Sequence, residues 1–159
     1  MIAYLGLGSN LGDRRAEIAS AVRSLATLGQ VLATSPAYET DPEGGAAQPS
    51  YLNAAVRLET DLEPRALLEA CLAIERARGR ARPADQSKAP RIIDIDLLLY
   101  GAEIRREPGL RIPHPALLAR PFVRIPLADV ALPGLRHPET GEALDRSEPD
   151  TTVRRLPPP

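Results

Sequence analysis

Apolar residues recur along this chain in two periods, and the switches between those periods lay out its elements. Ile2 to Gly8 is a short, mostly apolar run of the buried-strand kind, stopped by Gly8-Ser9-Asn10. From Asp13 to Leu28 the apolar positions Ile18, Val22, Leu25 and Leu28 follow helical spacing, with Gly29 as the expected stop. Gln30 to Tyr38 reads as a second strand, weakened by Pro36. Tyr51 to Thr60 reads as a third, in which Leu52, Ala54, Val56 and Leu58 alternate with Tyr51, Asn53, Ala55 and Arg57. Between them, Thr40 to Pro49 is a loop dense in breakers, and its length points to function. Pro64 suits the first turn of a second helix, marked by Leu67, Leu68, Cys71, Leu72 and Ile74 and ending near Gly79. Arg80 to Pro90 is polar and basic, and Ile92 to Tyr100 is the strongest strand signal in the chain. Gly101-Ala102 predicts a tight turn, with Glu103 to Arg106 pairing back as a short strand. Short helices fit Pro115 to Ala119 and Pro121 to Val130, and the last fifteen or so residues, polar and ending in three prolines, predict a frayed tail.

The order strand, helix, strand, strand, helix, strand predicts an α+β fold. It is a ferredoxin-like antiparallel sheet, βαββαβ, with helices on one face, the other face free for a site, and a C-terminal extension. A length of 159 residues, 43% of them hydrophobic, fits one domain spanning 1–159 with a single sizeable core. A net charge of -1 supplies no bulk attraction to nucleic acid or an anionic membrane, so any anion site must be built locally. No apolar run approaches the roughly 20 residues that span a bilayer, and Met1 to Gly6 lacks the pattern of a leader. The expectation is a monomer in the cytoplasm with no nucleic-acid or membrane partner. The lone Cys71 excludes an intramolecular disulfide and reads as a small core residue.

Chemistry concentrates in the segment Arg91-Ile92-Ile93-Asp94-Ile95-Asp96-Leu97-Leu98-Leu99-Tyr100. Strand alternation puts Ile93, Ile95, Leu97 and Leu99 on one face, the natural core face, and Asp94 and Asp96 together on the other, about 7 Å apart. Asp is disfavoured in strands and two like charges repel there. A divalent cation removes both objections, because Mg²⁺ favours one or two carboxylates with phosphate oxygens. Taken alone, the pair fits a solvated sheet face, or ion pairs with neighbouring Arg, better than a metal site. The arginines around it, Arg76, Arg78, Arg80, Arg82 and Arg91, shift that balance, since guanidinium groups grip phosphate bidentately. A basic loop beside such a pair suits a polyphosphate lid. Arg76 and Arg78 also fit a solvated helix end. His114, stiffened between Pro113 and Pro115, reads equally as a phosphate donor or as a turn histidine in water, with Arg120 close behind. Tyr51, Asn53 and Phe122 are the set that a ring-stacking pocket with an amide for edge recognition requires, although each ring taken singly fits a core or interfacial place. No P-loop is present, so ATP would bind by other means.

Four blocks then appear in a set order: Tyr4-Leu5-Gly6-Leu7-Gly8-Ser9-Asn10-Leu11-Gly12; Gln48-Pro49-Ser50-Tyr51-Leu52-Asn53-Ala54-Ala55-Val56; Pro90-Arg91 through Asp94-Ile95-Asp96 to Gly101; and Ile112-Pro113-His114-Pro115 through Arg120-Pro121-Phe122-Val123. With them the chain resembles the 6-hydroxymethyl-7,8-dihydropterin pyrophosphokinase family across nearly its whole length. The resemblance implies transfer of pyrophosphate from ATP to the pterin hydroxymethyl group, releasing AMP, in folate biosynthesis. It implies two Mg²⁺ ions on Asp94 and Asp96, catalytic phosphate clamping by Arg80 and Arg91, and ATP contacts from His114, Arg120 and Glu75. It also implies a pterin held between Tyr51 and Phe122, bonded by Asn53 and by the loop residues Thr40, Asp41 and Glu43. The chain departs from the family's pattern at Asp85-Gln86-Ser87-Lys88-Ala89-Pro90-Arg91, which is one residue longer and lacks a Trp, and at Asp41, where the family has Pro. Two rival functions are a non-catalytic ligand-binding module and a nucleic-acid domain of the same fold class. The second is poorly served by 3% aromatic residues and two Asp on the sheet face.

Overall fold

A computed structural model describes residues 1–41, 50–79 and 92–159. Its frame is the central strand β1 (Ile2–Ser9), flanked antiparallel by β4 (Tyr51–Glu59) and β5 (Asp94–Tyr100). Outside β4 lie β2 (Gln30–Thr34) and β3 (Tyr38–Thr40), both antiparallel to it. The expected second strand is therefore real but divided. Pro36, with no N–H to give, falls in the break, and the two halves pair with successive stretches of β4.

Two helices fill the first face. The helix α1 (Arg14–Leu25) is capped by Asp13, whose carboxylate accepts from Ala16 N at 3.1 Å, and it buries Ile18, Ala21 and Leu25. It ends before the predicted Leu28. Gly29 serves a different purpose from the expected stop: a Cβ there would lie 2.1 Å from the Glu59 carbonyl oxygen. The helix α2 (Pro64–Ala77) begins with Pro64 and buries Leu67, Cys71 and Glu75, one turn apart. These side chains meet Ala3, Leu5, Leu7, Leu52, Ala54, Val56, Leu58, Ile93, Ile95 and Leu97 in the principal core. The sequence's alternating positions on β4, and Ile93, Ile95 and Leu97 at β5, are thus correctly assigned to that core.

The second face is not wholly free, as the sequence suggested. The helix α3 (Pro121–Val130) lies across β4 and β1, and a second core forms there from Tyr4, Ala55, Leu98, Leu99, Leu117, Leu127, Val130 and Leu144. Leu99 belongs to it rather than to the principal core. The register slips at Tyr4/Leu5, with Leu97 opposite Leu5 and Leu99 opposite Tyr4. The extra residue, Leu98, turns Leu98 and Leu99 to the same side.

Three further expectations change. The short strand after Gly101 is β6 (Arg105–Glu107), and it pairs with β7 (Leu110–Ile112) as a separate hairpin, not back on β5. Pro115 to Ala119 forms turns instead of a helix. The tail does not fray, because β8 (Val153–Arg155) adds to the free edge of β3. Among the described residues no helix is long and apolar enough to cross a membrane.

Candidate active site

The half of the second face that α3 leaves uncovered is organised by register. Asp94 stands opposite Gly8, Gly8 opposite Asn53, and Asn53 opposite Tyr38, so one row crosses four strands. The next row runs Asp96, Gly6, Ala55, and Tyr51 stands opposite Thr40. Directly opposed residues share a face. Asp94, Asp96, Thr40, Tyr51 and Asn53 therefore face one side, with two glycines between the acids and the amide. Gly8 carries no side chain where a Cβ would already be 3.3 Å from Asn53 Oδ1 and 3.7 Å from the Tyr51 ring. The Gly6-x-Gly8 alternation makes a glycine floor between an acidic wall and an amide wall, and the Leu98 side chain closes its Gly6 end, 3.5 Å from where a Cβ would stand. Its period of two was legible in the sequence, but its meaning needed the partners on either side.

Asn53 is buried, and its Nδ2 donates to Thr40 Oγ1 at 2.8 Å, which fixes the amide with Oδ1 toward Gly8. Thr40 is thus an orienting side chain in addition to a loop residue. Asp41 is exposed, with its carboxylate 3.5 Å from Arg154. Tyr38 closes the row against α3, donating to Asp129 Oδ2 at 2.5 Å. Burial first, then that acceptor, pushes the Tyr38 hydroxyl up to about 12.

On the acidic side, His114 is brought over the edge strand by its own backbone, whose N–H donates to Leu98 O at 2.9 Å. Its Nδ1 accepts from Ala116 N at 3.1 Å, so the neutral ring carries its proton on Nε2, which lies 4.0 Å from Asp96 Oδ1. Burial and the Arg120 guanidinium both lower its pKa, against the pull of Asp94. His114 is therefore a neutral N–H donor at pH 7. The ring is held by these neighbours and is 25% exposed. Arg120 precedes the first turn of α3 and its guanidinium carbon lies 5.7 Å from the Phe122 ring centroid, a cation–π distance.

Glu75 of α2 is almost wholly buried and accepts from Ile95 N at 2.7 Å, on the strand between the two aspartates. It sits beside the acid pair within the fold rather than in the open groove. Burial, with Glu75 and Asp96 nearby, pushes the Cys71 thiol up to about 12, which removes it as a nucleophile. Arg78, one of the basic residues ahead of β5, is bound by Glu17 of α1 at 2.5 and 2.9 Å and is a helix-end brace. Arg80, Arg91 and Glu43, the remaining site residues expected from the sequence, lie outside the described residues.

Among the described residues no three His, Cys, Asp or Glu side chains come together as a metal cage. Two carboxylates on one face, Asp96 being 41% exposed, fit a hard cation that takes its other ligands from phosphate oxygens and water. The described donors thus fit Mg²⁺ carried in on a polyphosphate.

Comparison with known proteins supplies the family. The family 7,8-dihydro-6-hydroxymethylpterin-pyrophosphokinase matches residues 4–132. The 2-amino-4-hydroxy-6-hydroxymethyldihydropteridine pyrophosphokinase of Methylorubrum extorquens is 50% identical over 132 residues, covering 81% of this chain and 82% of the relative. The protein of the same name from Pseudomonas aeruginosa is 43% identical over 138 residues, covering 86% and 83%. A crystal structure of HPPK-DHPS from Plasmodium falciparum, with SDX-DHP, superposes with a TM-score of 0.69 at 17% identity, over 91% of this chain and 43% of that one. This chain spans less than half of that protein, and the likeness is one of fold.

Proposed function

Because the chain belongs to the 7,8-dihydro-6-hydroxymethylpterin-pyrophosphokinase family, and so is an ATP-dependent pyrophosphokinase of folate biosynthesis, we propose that the two-glycine floor is where its substrates meet. ATP lies with its phosphates on the Asp94/Asp96 side, and the pterin lies with its edge on Asn53. The observation that carries this reading is the single row Asp94, Gly8, Asn53, which sets an acidic side chain and an amide on opposite sides of a glycine.

The hydroxymethyl oxygen attacks the β-phosphorus of ATP, the bond to the α-phosphate oxygen breaks, and AMP leaves. Such a transfer needs positioning and charge neutralisation more than covalent help. Asp94 and Asp96 would hold two Mg²⁺ ions, whose chemistry is to neutralise the phosphates and acidify the attacking hydroxyl. Neutral His114 donates its Nε2 proton to a phosphate oxygen, and Arg120 adds a fixed positive charge from the start of α3. Arg80 and Arg91 clamp the transferring group, a role that rests on their match to the family's pattern. Glu75 braces the strand between the two aspartates, and in this way serves the nucleotide side. Tyr51 and Phe122 stack on the pterin, and Asn53, pre-set by Thr40, reads its edge with Asp41 and Glu43 nearby in sequence. The working unit in this reading is a monomer, and the use of ATP fits a cytoplasmic setting.

The test is AMP formation from ATP, Mg²⁺ and 6-hydroxymethyl-7,8-dihydropterin, followed by chromatography. Stoichiometric AMP and pterin diphosphate are expected. Tight binding of both substrates without AMP would leave a ligand-binding module and overturn the proposal.

A further inference from the structure

The tail lies beyond residues 4–132, where the family match ends, and it is built into the sheet next to the pterin side of the floor. In β8, Val153 stands opposite Thr40, Arg154 opposite Glu39 and Arg155 opposite Tyr38. Two anchors hold the strand there. Leu156 N donates to Ala37 O at 2.9 Å while its side chain packs on the principal core, and Arg15 of α1 donates to Pro157 O at 2.6 Å.

On the helix side of the sheet, behind the floor, Glu39 is the junction. Arg154 lies 3.6 Å from its Oε1, Arg14 Nη1 donates to its Oε2 at 3.1 Å, and Ser50 Oγ donates to Oε2 at 3.0 Å. Arg14 also donates to Ser50 O at 2.8 Å, so Ser50, where the chain leaves the 42–49 segment, is tied to the Glu39 carboxylate by both its hydroxyl and its carbonyl partner. The Ser50 hydroxyl and then Arg14 hold the Glu39 carboxyl below its usual range, which keeps the junction charged. On the front side, the residue paired with Val153 is Thr40, the hydroxyl that orients Asn53.

We propose that the C-terminal strand is a positioning element for the pterin: pairing with β3 and bracing Glu39, it holds Thr40 and, through it, the Asn53 amide in register with Tyr51. The physical reason is the shortness of β3. It has three residues, follows Pro36, and without β8 would be paired on one edge only. A strand that short frays readily, and a displacement of about 1 Å at Thr40 would carry its hydroxyl beyond hydrogen-bond range and release the amide that faces the pterin. The inference rests on the pterin reading of that row and assigns a role to residues 151–159.

The experiment compares Michaelis constants for both substrates in the full chain and in a chain ending at Asp150, with circular dichroism to verify folding. The expected result is a rise in KM for the pterin of about tenfold, with KM for ATP within twofold. In the full chain, Arg154→Ala should give a smaller rise of two- to threefold, since its ion pairs are partly exposed, and Arg154→Lys should restore it. If the shortened chain fails to fold, Arg154→Pro carries the same expectation, because it leaves the Leu156 and Pro157 anchors in place. An unchanged pterin KM, or pterin and ATP constants rising together, overturns the proposal. Loss of AMP formation by the full chain overturns both this inference and the functional reading beneath it, whereas wild-type turnover with an unchanged pterin KM overturns this inference alone.

Discussion

Gly8→Ala separates the stability of the sheet from the use of its floor. Gly8 lacks the positive φ seen at glycines such as Gly12 and Gly101, so alanine suits its backbone. Replacing glycine at such a position stabilises by about 0.4–1 kcal/mol through the unfolded chain. Against this, the new Cβ would stand 3.3 Å from Asn53 Oδ1, and the amide must yield slightly, while the contacts at 3.7 Å to the Tyr51 ring and 3.9 Å to Leu52 O are ordinary. An off-rotamer side chain costs about 0.5–1.5 kcal/mol. The two effects nearly cancel, so the melting temperature should move by no more than about 4 °C in either direction. Function should not cancel. The methyl fills the floor and turns the amide away from Thr40, which weakens one or two hydrogen bonds of about 1 kcal/mol each and raises KM for the pterin by roughly tenfold. No Asp94 atom comes closer than 3.9 Å to the added atom, so KM for ATP should change by less than about threefold. The measurements are differential scanning fluorimetry and steady-state AMP formation with each substrate varied. A stable variant with a wild-type pterin KM would show that the floor is not part of the pterin site. A large loss of stability would show that the Asn53 amide cannot yield and that the added methyl strains the sheet itself.

Asp94→Asn and Asp96→Asn should each lower AMP formation by at least about a hundredfold while the fold persists, because each removes a carboxylate for metal and also relieves repulsion between like charges. Near-normal turnover in both, assayed across a Mg²⁺ titration, refutes the metal role. Tyr51→Ala should weaken pterin binding far more than ATP binding by isothermal titration calorimetry, and equal losses would make Tyr51 merely structural. Tyr38→Phe removes the hydrogen bond to Asp129 and should cost about 1.5–3 kcal/mol at pH 7 in urea denaturation. The folded pKa is raised, to about 12, so the stability due to the Tyr38 hydroxyl is fully present below about pH 10 and is lost as pH rises through 12. The Phe variant should therefore lose stability less steeply than wild type between pH 10 and 12, and parallel curves would refute the assignment.

Much of the fold was legible because its elements are strongly periodic. The alternation over Tyr51 to Thr60, the helical spacing of Leu67, Cys71 and Ile74, and the strand signal around Asp94 each depend on one residue's relation to its near neighbours. The candidate residues were legible for the same local reason: two Asp at a spacing of two on a buried strand, and a His between two prolines. Failures came where a distant partner decides. Leu99 changed sides because a register slip against Tyr4 and Leu5 interrupts the alternation on β5. Pro115 to Ala119 has a helical composition, but the His114 backbone is committed to Leu98 O and the turn follows from that. Gly29 looked like a helix stop, yet what demands glycine there is the Glu59 carbonyl.

By itself, then, the sequence determined the α+β order of elements, the principal core face, the acid pair and the family, since these are written in local periodicity and in ordered blocks. Only the tertiary structure decided that Gly6 and Gly8 are a floor, that Thr40 sets Asn53, that Glu75 braces the strand between the aspartates, and that a polar, proline-ended tail closes the sheet beside β3. The physical reason is cross-strand register. It places residues some 45 and 85 positions from Gly8 against it in one row, and it lets a chain end with little burial of its own find an unpaired strand edge to complete.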